Sequence, residues 1–270
     1  MNYILGEDHS HWQAKVDFEK LLVNNIRFGI FKAGEIPTKS KTEYLDDMYA
    51  RNIREAKAND IISGAYYFFH PSIGASRQAK HFIKIVKTYG MPDLPLVVDV
   101  EVADGMQPIG ASAVLKAMLD QLEAEFGEKP IIYSRWGVLH GEYGNPAWLG
   151  TDSDTGYKLW LAQYNNVLDR KPADMRNVIM WQYTDKLKLP GIGVALDGNY
   201  WLRSEAELWK LANYYPEIGH QGTTSSIVVA SEEKPAEPIV SEAYKRALVI
   251  WNKSRSEGMN SIWWKLRNWK

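Results

Sequence analysis

The sequence predicts an α/β fold, an irregular TIM-like β/α barrel with about eight strands and fewer than eight outer helices. Two observations lead to this fold class. Short apolar runs rich in β-branched and aromatic residues recur eight times within the first 201 residues, and helical patterns separate several of them. Strands that alternate with helices are typical of parallel sheets, and this many strands in a chain of 270 residues fit one closed barrel.

The predicted elements follow in order along the chain. Apolar residues at a period near 3.6 predict helices over 42–60, 74–90 and 112–127, of which the last two end in glycine, a common helix stop. Residues 136–156 are rich in turn-forming residues, so the second half of the barrel is expected to lack some helices. The predicted strands are YILGED (3–8), RFGIFKAG (27–34), ISGAYYFF (62–69), LPLVVDVE (94–101), KPIIYSR (129–135), YKLWLAQY (157–164), NVIMWQYT (177–184) and GVALDGNYW (193–201).

Composition excludes several classes of function. A formal net charge of -1 gives no overall attraction to nucleic acid, so no nucleic-acid partner is predicted. The absence of cysteine excludes disulfides, thiolate metal sites and cysteine nucleophiles. No stretch approaches the roughly 20 apolar residues of a membrane span, and the N-terminus does not have the pattern of a signal peptide.

The segment EDHSHWQ (7–13) offers two different chemistries. His9 and His11 form an H-x-H pair that could hold a metal ion, whereas Asp8 could be a catalytic carboxylate. Zinc needs three or four well-placed ligands. Only His70 among the other histidines follows a predicted strand, so a metal-dependent amidohydrolase is the weaker alternative and no metal site is predicted.

Acidic residues lie at the ends of three predicted strands. Asp8 ends the first strand, Asp99 and Glu101 end the fourth, and Asp197 ends the eighth. Active sites of β/α barrels lie at the C-terminal ends of the strands, and the first and eighth strands of a closed barrel are neighbours. Asp99 and Glu101 share one face of their strand, where burying both is costly without a function. Paired carboxylates suit glycoside hydrolysis, in which one protonates the leaving oxygen and another stabilises the positive charge at the anomeric carbon.

An ordered set of motifs spans about residues 3–210: GEDHSHWQ, FGIFKAGE, GAYYFFHP, LPLVVDVE, LWLAQY, MWQYT and PGIGVALDGNYW. In this order the motifs resemble glycoside hydrolase family 25, the Chalaropsis-type lysozymes that include many phage endolysins. The resemblance implies a peptidoglycan hydrolase, a muramidase that cleaves the β-1,4 bond between N-acetylmuramic acid and N-acetylglucosamine. Bacterial peptidoglycan would be its partner, and no cofactor is predicted.

The resemblance also implies roles for single residues. Glu101 would be the general acid, and Asp99 would stabilise the cationic centre or orient the N-acetyl group of the substrate. Asp8 and Asp197 would complete the acidic cleft. Five further residues match positions that line such clefts: Tyr66, Tyr133, Tyr164, Trp181 and Gln182.

Some positions depart from the family pattern. Tyr67 stands where the family often has histidine, and Gly34 stands where it usually has threonine or serine. Glu7 replaces a usually apolar residue, and the sequence gives no reason for an acid there. A non-catalytic barrel that only binds wall glycans is a further alternative, although the intact Asp-x-Glu motif argues against it.

The composition changes after the barrel, which we expect to occupy residues 1–218. Residues 219–242 are rich in small, polar and proline residues, which is typical of a linker. Residues 243–270 are basic and rich in tryptophan, and we expect them to form a helical tail with three open roles: docking on the barrel or another subunit, binding to cell wall, or lying on a membrane surface. The expected setting is a phage endolysin, made in the host cytoplasm without a signal peptide and released to the wall by a holin.

Overall fold

The computed structural model describes residues 3–152, 154–165, 167–169 and 176–212. Nine strands form one sheet in the order β1-β9-β8-β7-β6-β5-β4-β2-β3, and an additional pairing of β1 with β2 closes all of them except β3 into a barrel. Each predicted strand overlaps a barrel strand, so the predicted fold class is confirmed. The strands are β1 (Ile4–His9), β2 (Ile26–Glu35), β3 (Tyr44–Leu45), β4 (Ile62–Phe68), β5 (Val97–Val100), β6 (Ile131–Ser134), β7 (Leu159–Ala162), β8 (Val178–Leu187) and β9 (Leu196–Trp201).

One strand runs against the others. Strand β9 pairs antiparallel with both β1 and β8, whereas the other neighbouring barrel strands pair in parallel. Asp197 is the second residue of β9 and does not end the strand, so the expectation from the sequence is wrong on this point. Because the strand is reversed, its beginning lies at the same rim as the C-terminal ends of the parallel strands.

The helices cover mainly the first half of the barrel. They are α1 (Phe18–Val23), α2 (Tyr49–Ala58), α3 (Ala75–Tyr89), α4 (Pro108–Phe126) and α5 (Glu205–Ala212). Helix α4 begins before the predicted start because proline is well tolerated in the first turn, and it ends at Gly127, which adopts a left-handed conformation. Between β6 and β7 the described residues form only short helical turns, Val138–Glu142 and Ala147–Leu149, as the turn-rich sequence predicts. No helix in the described ranges is long and apolar enough to span a membrane.

Helix α2 is shorter than predicted because the beginning of the 42–60 segment joins the sheet. Tyr44 and Leu45 form β3, which pairs antiparallel with the end of β2. Gly34 lies in this pairing, and a Cβ atom there would approach the carbonyl oxygen of Tyr44 to 2.2 Å. The close approach of the two backbones explains why glycine replaces the larger residue that the family pattern has at this position.

Two apolar layers place the functional side chains. Alternate residues of the strands, such as Phe28 and Ile30, fill the barrel interior, while Phe31 and Ala33 pack outward against the helices. On β1 the inward face carries Gly6, whose lack of a side chain leaves room for the Phe28 ring. The predicted linker (219–242) and tail (243–270) lie outside the described residues.

Candidate active site

One small pocket at the rim of the barrel brings together the four acids that the sequence predicts to be catalytic. Seven barrel strands and the residue that follows β5 contribute its lining residues, which are Asp8, Tyr66, Asp99, Glu101, Tyr133, Trp160, Gln182 and Asp197. Asp8 and Asp197 are direct partners in the β1–β9 pairing. Asp99 lies near the end of β5, and Glu101 follows that strand directly.

The amide of Gln182 holds two of the acids together. Its Nε2 donates to Oδ2 of Asp8 at 2.8 Å and to Oδ2 of Asp197 at 3.2 Å. Its Oε1 accepts from the hydroxyls of Tyr133 at 2.7 Å and Tyr164 at 2.8 Å. Because Oε1 accepts from both hydroxyls, the nitrogen must face the carboxylates, and the orientation of the amide is fixed.

A second amide supports Asp8 from the barrel interior. Nδ2 of Asn199 donates to Oδ2 of Asp8 at 2.7 Å, and Oδ1 of Asn199 accepts from Nε1 of Trp160 at 2.8 Å. Neither Asn199 nor Trp160 is among the site residues predicted from the sequence. Strand alternation could have found both, because Asn199 shares a face with Asp197, and Trp160 shares a face with Tyr164 in the predicted strand 157–164.

Burial and mutual repulsion oppose ionisation of Asp8 and Asp197. Burial raises the pKa of Asp8 well above its usual range, and the charge of Asp197 adds to the rise, while the bonds from Asn199 and Gln182 oppose it. Burial, followed by the charges of Asp185, Glu7 and Glu101, raises the pKa of Asp197 to about 6. Both carboxyls therefore keep a proton to a higher pH than isolated aspartates would.

The second carboxyl pair also resists ionisation, but cations lie near it. Burial, and then the charge of Glu101, raises the pKa of Asp99 well above its usual range, against the effect of Lys32. Burial raises the pKa of Glu101. The charge of Arg135, a hydrogen bond from Asp99 and the charge of Lys32 each lower this pKa and so oppose the rise. A carboxyl group that keeps its proton in this way is what general acid catalysis requires.

Lys32 is a buried cation that the sequence analysis did not single out. It lies on the inward face of β2, and its Nζ is 2.6 Å from Oε1 of Glu35. Glu35 in turn faces Nε2 of His70 at 3.4 Å, and Nδ1 of His70 is 3.1 Å from Asp104. The hydrogen bond from His70, followed by that from Lys32, lowers the pKa of Glu35 to about 2. The network fixes the ammonium group beside the Asp99–Glu101 pair.

The residues predicted to line the cleft divide into three groups. Tyr66, Tyr133 and Gln182 line the pocket itself. Tyr164 is half exposed beside it and lines a neighbouring cavity of about 520 Å³, together with Arg135 and other residues. Trp181 is not brought to the pocket, because it lies on the opposite face of β8 from Gln182 and its Nε1 donates to the carbonyl of Gln163.

The two histidines of the H-x-H pair contact different acids. Nδ1 of His9 lies 2.6 Å from Oε2 of Glu7 on the outward face of β1, whereas Nδ1 of His11 lies 2.6 Å from Oδ2 of Asp46 beyond the end of that strand. Within the described ranges, no three histidine, aspartate or glutamate side chains converge as a metal site would require. The pair therefore does not support the metal-dependent alternative.

Comparison with known proteins agrees with the fold and the motifs. The sequence model of Glycosyl hydrolases family 25 matches residues 7–192. The chain is 30% identical to YegX of Escherichia coli (strain K12) over 215 residues, which cover 76% of this chain and 72% of YegX. It is 26% identical to Lysozyme M1 of Streptomyces globisporus over 222 residues, covering 78% of this chain and 71% of that lysozyme. The crystal structure of the bacterial lysozyme from Streptomyces coelicolor has the same fold, with a TM-score of 0.69 at 24% identity over 79% of this chain and 98% of that chain.

Proposed function

Because the chain belongs to glycosyl hydrolases family 25, we propose that it is a muramidase that cleaves the β-1,4 bond between N-acetylmuramic acid and N-acetylglucosamine in bacterial peptidoglycan. Family membership makes the chain a glycoside hydrolase, and a relative over most of its length is named Lysozyme M1. The observation that carries the proposal is the convergence of the four acids in one pocket at the barrel rim. Hydrolysis of a glycosidic bond needs two carboxyl groups that act at that bond.

We assign Glu101 as the general acid. Burial raises its pKa, so it keeps a proton at a pH at which an exposed glutamate has lost its own. Glu101 is also less buried than Asp99 and is therefore more accessible to a bound glycan. Its proton moves to the leaving oxygen as the C1–O bond breaks, and its carboxylate then takes a proton from the water that attacks C1.

We assign Asp99 the role of stabilising the positive charge that develops at C1, the anomeric carbon of the substrate. Its Oδ1 is buried and has no hydrogen-bond partner among the described residues, so this oxygen can accept a hydrogen bond from the substrate. The carboxyl either faces C1 or holds the N–H of the muramic acid acetamido group, whose oxygen then attacks C1. In the second route the acetamido oxygen displaces the leaving oxygen at C1 and water then displaces the acetamido oxygen, so two inversions retain the configuration of C1.

The test is product analysis with purified peptidoglycan. The wild type should release fragments with muramic acid at the reducing end, and Glu101→Gln should release none, as measured by mass spectrometry. The control is Glu128→Gln, because Glu128 forms an ion pair with Lys158 at 2.8 Å where β6 and β7 begin, at the far end of the barrel. Activity in Glu101→Gln would refute the assignment, and wall binding by the wild type without release would favour a barrel that only binds glycans.

We further propose that the enzyme acts as a phage endolysin. The support is the resemblance of its motifs to a family that includes many such enzymes, together with a wall glycan as the proposed substrate. If the protein waits inside the cell for a holin, expression in the cytoplasm alone should leave cells intact, and opening the inner membrane should cause rapid lysis. Lysis measured by turbidity before the membrane is opened would contradict this setting.

A further inference from the structure

The outward face of β1 carries a buried ion pair directly behind the active-site pocket. Nδ1 of His9 lies 2.6 Å from Oε2 of Glu7, and both side chains are completely buried. Glu7 is the acid for which the sequence gives no reason. It precedes Asp8 in the strand, and His9 follows Asp8, so the pair and the active-site carboxylate lie on opposite faces of one strand.

A glycine recess and two aromatic rings enclose the Glu7–His9 pair. The strand partners of Glu7 are Gly29 on β2 and Gly198 on β9. A Cβ atom at Gly29 would come within 2.6 Å of Oε1 of Glu7, so this glycine forms the recess for the carboxylate. The walls are the rings of Phe31 and Phe18, whose centroids lie 4.9 Å and 5.9 Å from that of His9.

The charged groups around this pair are few in the described part of the chain. Helix α1 presents Phe18, and behind that ring lies Arg51 of α2, whose guanidinium carbon is 5.6 Å from the ring centroid. The guanidinium also donates to the carbonyl of Val16 at 2.7 Å. Across β1 lie Asp8 and Asp197, so these two carboxyls are the groups that the charge of Glu7 can affect through the barrel wall.

Stability alone does not explain the pair. Oε1 of Glu7 and Nε2 of His9 have no hydrogen-bond partner among the described residues, although both atoms are buried. Replacing a buried ion pair by apolar residues of similar volume is often neutral or stabilising, because two charges lose their hydration on burial. The pair lies one backbone away from an active-site acid, so we expect its charges to act on that acid.

The direction of the effect follows from the charges. The negative charge of Glu7 disfavours a second charge nearby and raises the pKa of both Asp8 and Asp197, while His9 has the opposite, smaller effect on Asp197. Asp185 and Glu101 raise the pKa of Asp197 as well. Asn199 and Gln182 oppose the rise at Asp8.

We propose that Glu7, held in the Gly29 recess by His9, is a positioning residue that keeps one proton on the Asp8–Asp197 pair while the enzyme works. A pair with one proton can both donate and accept a hydrogen bond, which two carboxylates cannot do. Such a pair can hold a sugar hydroxyl or an acetamido group in one orientation. This inference rests on the proposed function for its role in catalysis, but the protonation itself can be measured without activity.

The experiment follows the side-chain carboxyls of ¹³C-labelled aspartates by NMR during a pH titration of the full chain. The variants are Glu7→Gln, His9→Gln and the apolar double variant Glu7→Ile with His9→Val, and Glu128→Gln is the control. Asp8→Asn and Asp197→Asn assign the two signals. Loss of the Glu7 charge, roughly 10 Å away, should lower the titration midpoints of this pair by about half a unit to one unit in Glu7→Gln and by less in the double variant. His9→Gln keeps that charge and removes the opposing one, so it should raise the midpoint of Asp197. The control should leave both midpoints unchanged.

A second measurement separates the inference from the proposed function. The pH at which KM begins to rise in peptidoglycan hydrolysis should move to lower pH in Glu7→Gln and in the double variant, and to higher pH in His9→Gln. A shift in the NMR titration without hydrolysis by any protein, the wild type included, would support the inference and refute the proposed function. Unchanged midpoints in folded variants would overturn the inference. Loss of the fold in the apolar double variant would overturn it too, because the pair would then be structural.

Discussion

The two carboxyl pairs of the pocket are held in different ways. Asp8 and Asp197 lie on neighbouring strands and share the amide of Gln182. Asp99 and Glu101 lie two residues apart on one chain segment, and the charges of Lys32 and Arg135 act on them. Burial raises the pKa of all four, so the difference lies in what surrounds each pair.

This difference indicates a division of labour. Two amides donate to Oδ2 of Asp8, which fixes the orientation of the carboxyl and suits a group that holds a substrate. Oδ1 of Asp99 has no partner among the described residues, and the nearby cations make it easier for this pair to lose a proton and regain it. A group that transfers a proton needs such freedom, whereas a group that binds a sugar needs a fixed position.

The largest expected effect comes from replacing one carboxyl of the Asp99–Glu101 pair. Asp99→Asn removes a charge that stabilises the transition state, so kcat should fall about 100- to 1000-fold with little change in KM. Asp8→Asn should instead raise KM and reduce kcat about tenfold or less, because it weakens binding. Steady-state kinetics on purified peptidoglycan measure both variants. Equal losses in kcat would mean that the two pairs do not differ in role.

A smaller effect is expected from removing the amide that holds Asp8 and Asp197 together. Gln182→Leu removes a hydrogen bond that lowers the pKa of Asp8, so this pKa should rise further, and kcat/KM should fall about tenfold, as for loss of a bond to a charged group. The pH profile should move to higher pH. Trp181→Phe is the matched control on the next residue of β8, whose side chain lies on the other face. Loss of activity in that control would place the tryptophan in the mechanism after all.

The cation beside the second pair provides a further test. Lys32 lowers the pKa of Asp99 and of Glu101, so Lys32→Met should raise both values. The pH optimum should then move upward by about one unit. Lys158→Met is the control, because it removes the partner of Glu128 at the far end of the barrel. An unchanged optimum in Lys32→Met would show that the lysine contributes only to structure.

Most of the barrel and its acids could be predicted from sequence because both depend on local patterns. Strand composition identified every barrel strand, and alternation placed Asp99 and Glu101 on one face. The direction of β9 could not be predicted, because pairing across the closed barrel decides it and local sequence does not. Asp197 nevertheless reaches the predicted rim, since the beginning of a reversed strand lies where a parallel strand would end.

Residues that act through contacts were harder to predict. Trp181 matched the family pattern, but its neighbour Gln182 occupies the inward face and the tryptophan packs outside the barrel. Lys32 belongs to a matched motif, yet only the folded structure brings it to Glu35 and to the acids of β5. Glu7 had no interpretation until the structure showed the recess at Gly29 and the contact with His9.

The smallest expected effect concerns the network that anchors Lys32. The folded pKa of Glu35 is about 2, below its ordinary value of 4.5, so its pairing stabilises the fold above pH 4.5 and this stability is lost as the pH falls towards 2. Between these two values, the free energy of unfolding of the wild type should fall by about 1 to 2 kcal/mol more than that of Glu35→Gln, after allowance for solvent screening. Denaturant unfolding at several pH values measures the difference. Glu128→Gln should leave the slope in this range close to that of the wild type. If Glu35→Gln also keeps the wild-type slope, the network is not what fixes the lysine beside its carboxyl pair.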